Sequence, residues 1–206
     1  MKKKIIILFI VLIVAVLALG VLISTQTNSF QDGVRFSDDT PSRDAYYPVN
    51  GGMVMVSPDV RMFFDTSSPV SMLSRQDLEK LKADGMDVDS ISTLYVGFDA
   101  DRNLTVATRI YQVSLPAPGF EVDPTRSRCT AFSADYASPG RIENVRFLLS
   151  PDNLSRLGMD FIEHFAVEYS WVTGMIILHD VVPEGFQMFS KINKELSVTD
   201  GVLSPA

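Results

Sequence analysis

Met62-Phe63-Phe64-Asp65-Thr66-Ser67-Ser68-Pro69-Val70-Ser71-Met72-Leu73 ends one apolar run in an acid and small hydroxyl residues and then begins another. A carboxylate delivered directly after three large apolar side chains stands at the rim of a core. Partial desolvation there raises its pKa unless neighbours donate hydrogen bonds to it. The same pattern also fits an Asp that opens a turn, with Thr66 and Ser67 as ordinary turn residues. The segment by itself leaves both readings open.

The residues on either side read mostly as short β segments separated by turns. Met53–Val56 and Val60–Phe64 flank Ser57-Pro58-Asp59, a tight bend. Ser74-Arg75-Gln76-Asp77 offers an N-cap with an acid three residues on, Leu78 and Leu81 follow at helical spacing, and Gly85 stops the helix. Thr93–Phe98 and Leu104–Leu115 are strand-like and joined by the polar turn Asp99–Asn103, which predicts a long hairpin. Pro116–Gly140 holds prolines 116, 118, 124 and 139 and reads as loops with one strand near Cys129–Phe132. Val145–Leu149, Phe165–Tyr169 and Met175–Leu178 read as strands, with a short helix over Leu157–His164 and a closing amphipathic stretch over Phe186–Leu196. The pattern predicts a small, mainly β domain of barrel or sandwich type with one or two short helices.

A second segment gives the first its meaning. Val145-Arg146-Phe147-Leu148-Leu149 is followed by Leu157-Gly158-Met159-Asp160-Phe161-Ile162 and then by the strands at Phe165 and Met175. Together the two segments resemble the retropepsin-like aspartic proteases. In that family a strand delivers an apolar-apolar-Asp-Thr/Ser-Gly motif, and a later strand leads into a Leu-Gly-x-Asp-Phe-Leu helix and a hairpin. The likeness spans residues 51–180. It implies a closed β-barrel of the acid protease fold, with Asp65 as the catalytic aspartate and Thr66 bracing the loop across a dyad. Where the family carries Gly, this sequence carries Ser67, whose N–H can still donate to the carboxylate. Only one such motif is present, so the resemblance implies a homodimer in which Asp65 meets its own copy. The Asp99–Asn103 hairpin would be the flap. The implied activity is hydrolysis of peptide or protein substrates without a cofactor or metal. Ser67 and the charged, glycine-poor flap tip support an alternative, an inactive domain of the same fold that binds a peptide or protein partner. Asp160 would hold the short helix.

Before this domain, Lys2-Lys3-Lys4 precedes Ile5–Ile23, an uncharged apolar run whose nineteen residues span roughly 28 Å as a helix, close to a bilayer core. The lysines predict a cytoplasmic N-terminus and an extracytoplasmic body, periplasmic or at the cell surface. A signal peptide cleaved near Ala18-Leu19-Gly20 is the alternative. The expected order is a basic tip over residues 1–4, a transmembrane signal anchor over 5–23, a flexible tether over 24–50, the domain over 51–182 and an extension over 183–206.

Composition narrows the remaining classes. The 206 residues carry 18 basic and 25 acidic side chains, and since the three N-terminal lysines are the only charges before residue 29, the rest of the chain stands at −10. Such a surface repels phosphate backbones, so nucleic acid is not an expected partner. One cysteine and two histidines exclude a disulfide within the chain and a multi-cysteine zinc site. His164 and His179 have no nucleophile motif beside them, and no Gly-x-Ser-x-Gly elbow occurs.

Overall fold

A computed structural model describes residues 7, 9–18, 20–21, 30–40, 43–99, 101–123, 131–136, 140–170 and 173–181. The body begins well before Gly51. Strands β1 (Arg35–Phe36) and β2 (Asp44–Asn50) belong to it, and Phe30, Val34, Phe36, Ala45 and Tyr47 are buried. The Ser-, Thr-, Asp- and Pro-rich stretch expected as tether is therefore part of the domain from residue 30 onward, apart from residues 41 and 42, which lie outside the described ones. Gln31, Ser37 and Thr40 face inward while Asp32, Asp38 and Asp39 are exposed: Ser37 Oγ and Thr40 Oγ1 hydrogen-bond each other at 2.9 Å, and both accept from the Arg141 N–H.

Gly51 and Gly52, with φ of +62° and +80°, make the tight turn from β2 to β3 (Met53–Met55). Strand β4 (Arg61–Phe64) pairs antiparallel with β3, burying Val54 and Met62 between them and the core. After the Asp65 turn comes β5 (Met72–Leu73), then helix α1 (Arg75–Ala83). Ser74 caps α1 by accepting from the Asp77 N–H at 3.0 Å, Leu78 and Leu81 are buried beneath it, and Gly85 at φ +77° closes it, as the spacing predicts.

The predicted hairpin is present and longer than its apolar runs. It joins β6 (Val88–Phe98) to β7 (Leu104–Pro116), with a register shift between Ser92 and Tyr95. Where loops and one strand near Cys129–Phe132 were expected, β8 (Gly119–Asp123) and β9 (Ala131–Asp135) form a separate two-stranded sheet, β9 overlapping the expected strand; Cys129 lies outside the described residues. Strand β10 (Arg141–Leu149), β11 (Arg156–Leu157), helix α2 (Met159–Ile162), β12 (Ala166–Ser170) and β13 (Met175–His179) complete the described elements.

The main sheet runs β12-β13-β2-β3-β4-β11-β5-β10-β7-β6, with β1 beside β10. It does not close into a barrel, which corrects the sequence expectation: the path ends at β12 on one side and β6 on the other. Closure needs strands of matched length and stagger. Here β11 and β5, in the middle, are two residues each, while β6 and β7 run eleven and thirteen. The mainly β class stands.

Strand β11 lies between β4 and β5, the two strands that the Asp65 turn connects, pairing parallel with β4 and antiparallel with β5. The join is held by Leu157 O accepting from the Asp65 N–H at 2.9 Å and Ser68 O accepting from the Met159 N–H at 2.8 Å. Gly158 permits it, because a Cβ there would lie 2.6 Å from the carbonyl carbon of Val70 and 2.7 Å from its oxygen.

The N-terminal residues 9–18 are helical with exposed apolar side chains. Among the described residues no helix is long and apolar enough to cross a membrane, and residues 5–23 are described only in part. The tail segment Phe186–Leu196 lies outside the described residues.

Replacing Gly158 with Ala should cost about 1–3 kcal/mol of stability, because the Val70 backbone and the Asp160 carboxylate must give way. Thermal or urea unfolding measures this. A loss below about 0.5 kcal/mol, the range of an ordinary surface change, would show that the contact is loose.

Candidate active site

Asp65 stands one residue beyond the end of β4, and its turn is built around its own carboxylate. Oδ1 accepts from the Ser67 hydroxyl at 2.6 Å, the Ser67 N–H at 2.9 Å and the Ser68 N–H at 3.2 Å. Oδ2 lies 3.8 Å from Nε of Arg156. Partial burial pushes the Asp65 pKa up, but the Ser67 and Ser68 donors and the Arg156 cation outweigh it and hold the group below its ordinary value. Ser67 sits in the turn without backbone strain, since its φ is not among the positive ones. Its side chain adds a donor that glycine lacks. Thr66 is exposed at the apex of the turn, and Ser68 is buried, its hydroxyl donating to Val70 O at 2.8 Å.

Arg156 was not singled out by sequence. Its side chain is largely enclosed between Asp65 and Asp152, with Nη2 2.5 Å from Asp152 Oδ2. Arg156, together with hydrogen bonds from Ser150 and Leu154, draws Asp152 down to about 2 despite its partial burial. The sequence carries no local sign of this role, because it is the pairing of β11 with β4 that places Arg156 beside the turn.

Beneath the turn lies Asp160, buried at 6% exposure. Ser71 Oγ donates to its Oδ1 and Gln31 Nε2 to its Oδ2, each at 2.8 Å. Ser71 Oγ also accepts from the Gly158 N–H at 2.9 Å, so one hydroxyl ties β5 to the start of α2. Gln31 continues the network: Nε2 donates to Arg146 O at 2.7 Å and Oε1 accepts from the Arg146 N–H at 2.9 Å. These partners are neutral, so burial prevails and pushes the Asp160 pKa up to about 6. Asp160 is thus placed to hold α2, as expected of it, and its link to Gln31 joins residues the sequence assigned to different regions.

An open groove of about 420 Å³ runs beside the turn, lined by Thr66–Pro69, Met159, Phe98 and Arg102. The last two bring the β6–β7 hairpin tip to the site. That tip is ordered by Asp99, whose Oδ1 accepts from the N–H groups of Asp101 at 3.0 Å and Asn103 at 2.8 Å, with Arg102 at φ +63°. Gly97 lets Tyr95 fold back over the hairpin, since a Cβ would fall 2.3 Å from its hydroxyl oxygen.

His164 is exposed at the end of α2. His179 is placed between two acids that sequence did not connect with it, Nδ1 at 2.8 Å from Asp44 Oδ1 and Nε2 at 3.4 Å from Glu168 Oε2. Strands β2 and β12 both pair with β13, which brings these residues together. Among the described residues no group of His, Cys, Asp and Glu side chains is arranged to hold a metal ion. No family model, curated protein or solved structure gives a significant match to the chain.

The raised Asp160 pKa fixes a sign. The folded state binds the proton more tightly than the unfolded chain, where an Asp titrates near 3.9, so the stabilisation is present below about pH 4 and lost as pH rises to about 6. Asp65 and Asp152 act in the opposite sense at lower pH. Asp160→Asn should therefore flatten the decline of stability between about pH 4 and 6, worth up to roughly 3 kcal/mol. Unfolding midpoints across that range measure it, and an unchanged slope would assign the pH dependence elsewhere.

Proposed function

We propose that this chain is a membrane-tethered, retropepsin-like aspartic endopeptidase that hydrolyses peptide bonds between two copies of Asp65 in a homodimer. The observation that carries the reading is the Asp65 turn itself. Three donors converge on Oδ1, the carboxylate stays partly open to solvent, and a groove capped by a hairpin tip begins at the next residue. The single chain supplies one such carboxylate, and a twofold dimer supplies the second.

Two carboxylates brought together share one proton, because like charges at close range drive one pKa up and the other down. The ionised member takes a proton from a bound water, which attacks the scissile carbonyl. The protonated member gives its proton to the carbonyl oxygen, forming a gem-diol; as the C–N bond breaks, the proton taken from water passes to the leaving nitrogen and a diol hydroxyl returns its proton to the other carboxylate. The turn donors would fix both carboxylates in place. Thr66, exposed beside Asp65, is the residue able to bond across the dyad. Phe98 and Arg102 would close the groove over the peptide and exclude water. Residues 5–23 would be a single-pass anchor, with residues 1–4 cytoplasmic and the domain on the far side of the membrane.

Arg156 favours a second reading. A cation at 3.8 Å and the Ser67 hydroxyl both stabilise the ionised form of Asp65, whereas a dyad must hold a proton. A fold that keeps its groove but not its protonated acid would bind an extended peptide without cutting it.

Incubating the purified full chain with a diverse peptide library from pH 4 to 7, over a range of protein concentrations, separates the two. The endopeptidase reading predicts cuts whose rate per chain rises with concentration and falls by about 10²–10⁴-fold in Asp65→Asn. Peptide retained in the groove and left uncut at every concentration would establish the binding reading instead. Cuts that persist in Asp65→Asn would overturn both.

A further inference from the structure

The β6–β7 hairpin presents an apolar face of which the readings above use only Phe98, at its tip. Leu94, Phe98, Leu104 and Val106 are 56%, 41%, 57% and 61% exposed. Phe98 stands opposite Leu104 in the ladder, and Val106 opposite Val96, so these side chains share one side of the sheet. No charged residue occurs over positions 90–98 or 104–108. Single exposed apolar residues are ordinary, but a contiguous uncharged face marks an interaction surface.

The chain's own path points to what covers it. Phe30 stacks edge-on against Tyr95 at a centroid distance of 5.1 Å, and the two share a buried cluster with Val70, Met72, Ile110 and Leu148. The apolar run ends at Ile23, so only residues 24–29 separate it from this fixed point. Fully extended, seven steps reach at most about 25 Å. Tyr95 is on the buried side of β6 and Leu94 on the exposed side, and β6 is the last strand of the sheet. A segment of that reach is long enough to bring a membrane to the apolar face on the other side of β6.

We propose that this face of the hairpin docks onto the lipid surface from which the domain is tethered, lying in the headgroup region beside the anchor. The inference rests on the anchor reading given above. The hairpin lies on the bilayer and does not cross it, because its tip carries Asp99, Asp101 and Arg102, which hydrocarbon does not accept. Attraction comes from apolar burial, so neutral lipid suffices. The groove at Thr66–Pro69 and Phe98 then opens next to the membrane, which favours peptide segments presented at its surface.

The test uses the full chain with Cys129→Ser, reconstituted in phosphatidylcholine vesicles that contain spin-labelled lipid. A fluorophore is placed on a single cysteine at Val106→Cys, Leu12→Cys or Asp59→Cys. Docking predicts quenching by about half or more at positions 106 and 12, and little at the exposed β3–β4 bend at 59. Quenching at 12 without quenching at 106 keeps the anchor and overturns the docking. No quenching at 12 overturns the anchor reading and the inference with it. Quenching at 106 that depends on a second labelled copy and not on spin-labelled lipid would assign the face to a protein contact and overturn the proposal.

Discussion

The closeness of Gly158 to the backbone of Val70 is the constraint on which the rest of the site depends. Strand β11 has to enter between β4 and β5, and it can do so only if the residue that follows it has no side chain to strike Val70. Once it has entered, the Leu157 carbonyl fixes the start of the Asp65 turn and the Met159 N–H fixes its far side at Ser68. A turn of four small residues at a sheet surface would otherwise sample many conformations. Here its backbone is held on both flanks by a segment about ninety residues away in sequence.

Two aspartates on either side of this join show how environment divides the roles of one side chain. Asp65, in the turn, is surrounded by donors and a guanidinium and is held ionised. Asp160, below it, is enclosed with neutral partners, and its pKa is pushed toward the protonated form. The first has the exposure that chemistry requires. The second has none, and its hydrogen bonds run to Ser71 and Gln31, so it works as a clamp between the turn, α2 and the N-terminal segment.

What the sequence made legible was local. The cap at Ser74, the stop at Gly85 and the paired apolar runs around Asp99–Asn103 carry their signals within a few residues, and α1 and the β6–β7 hairpin stand where those signals place them. The Asp65 turn was legible as an acid closing an apolar run, and the Leu157–Ile162 block as a glycine and a short helix after a strand, but not that the two meet. The two-residue strands β5 and β11 have no periodicity to detect, because their partners are remote. Residues 30–50 read as tether since their Ser, Thr and Asp side chains suggest solvent, whereas several of them satisfy one another inside the fold. Arg156 and the Asp44–His179–Glu168 cluster are products of strand pairing and leave no local trace. The closed barrel was carried by resemblance alone, and the unequal strand lengths decide against it.

The proposed hydrolysis needs two copies of one turn to meet face to face. Crosslinking tests this directly: Thr66→Cys in the full chain carrying Cys129→Ser, oxidised in its membrane under mild conditions, beside Asp59→Cys as the remote control. Cα atoms must approach within about 7 Å for a disulfide to form. The account predicts a crosslinked dimer at position 66 and none at position 59. A chain that dimerises by an independent measure yet never crosslinks at position 66 would contradict it.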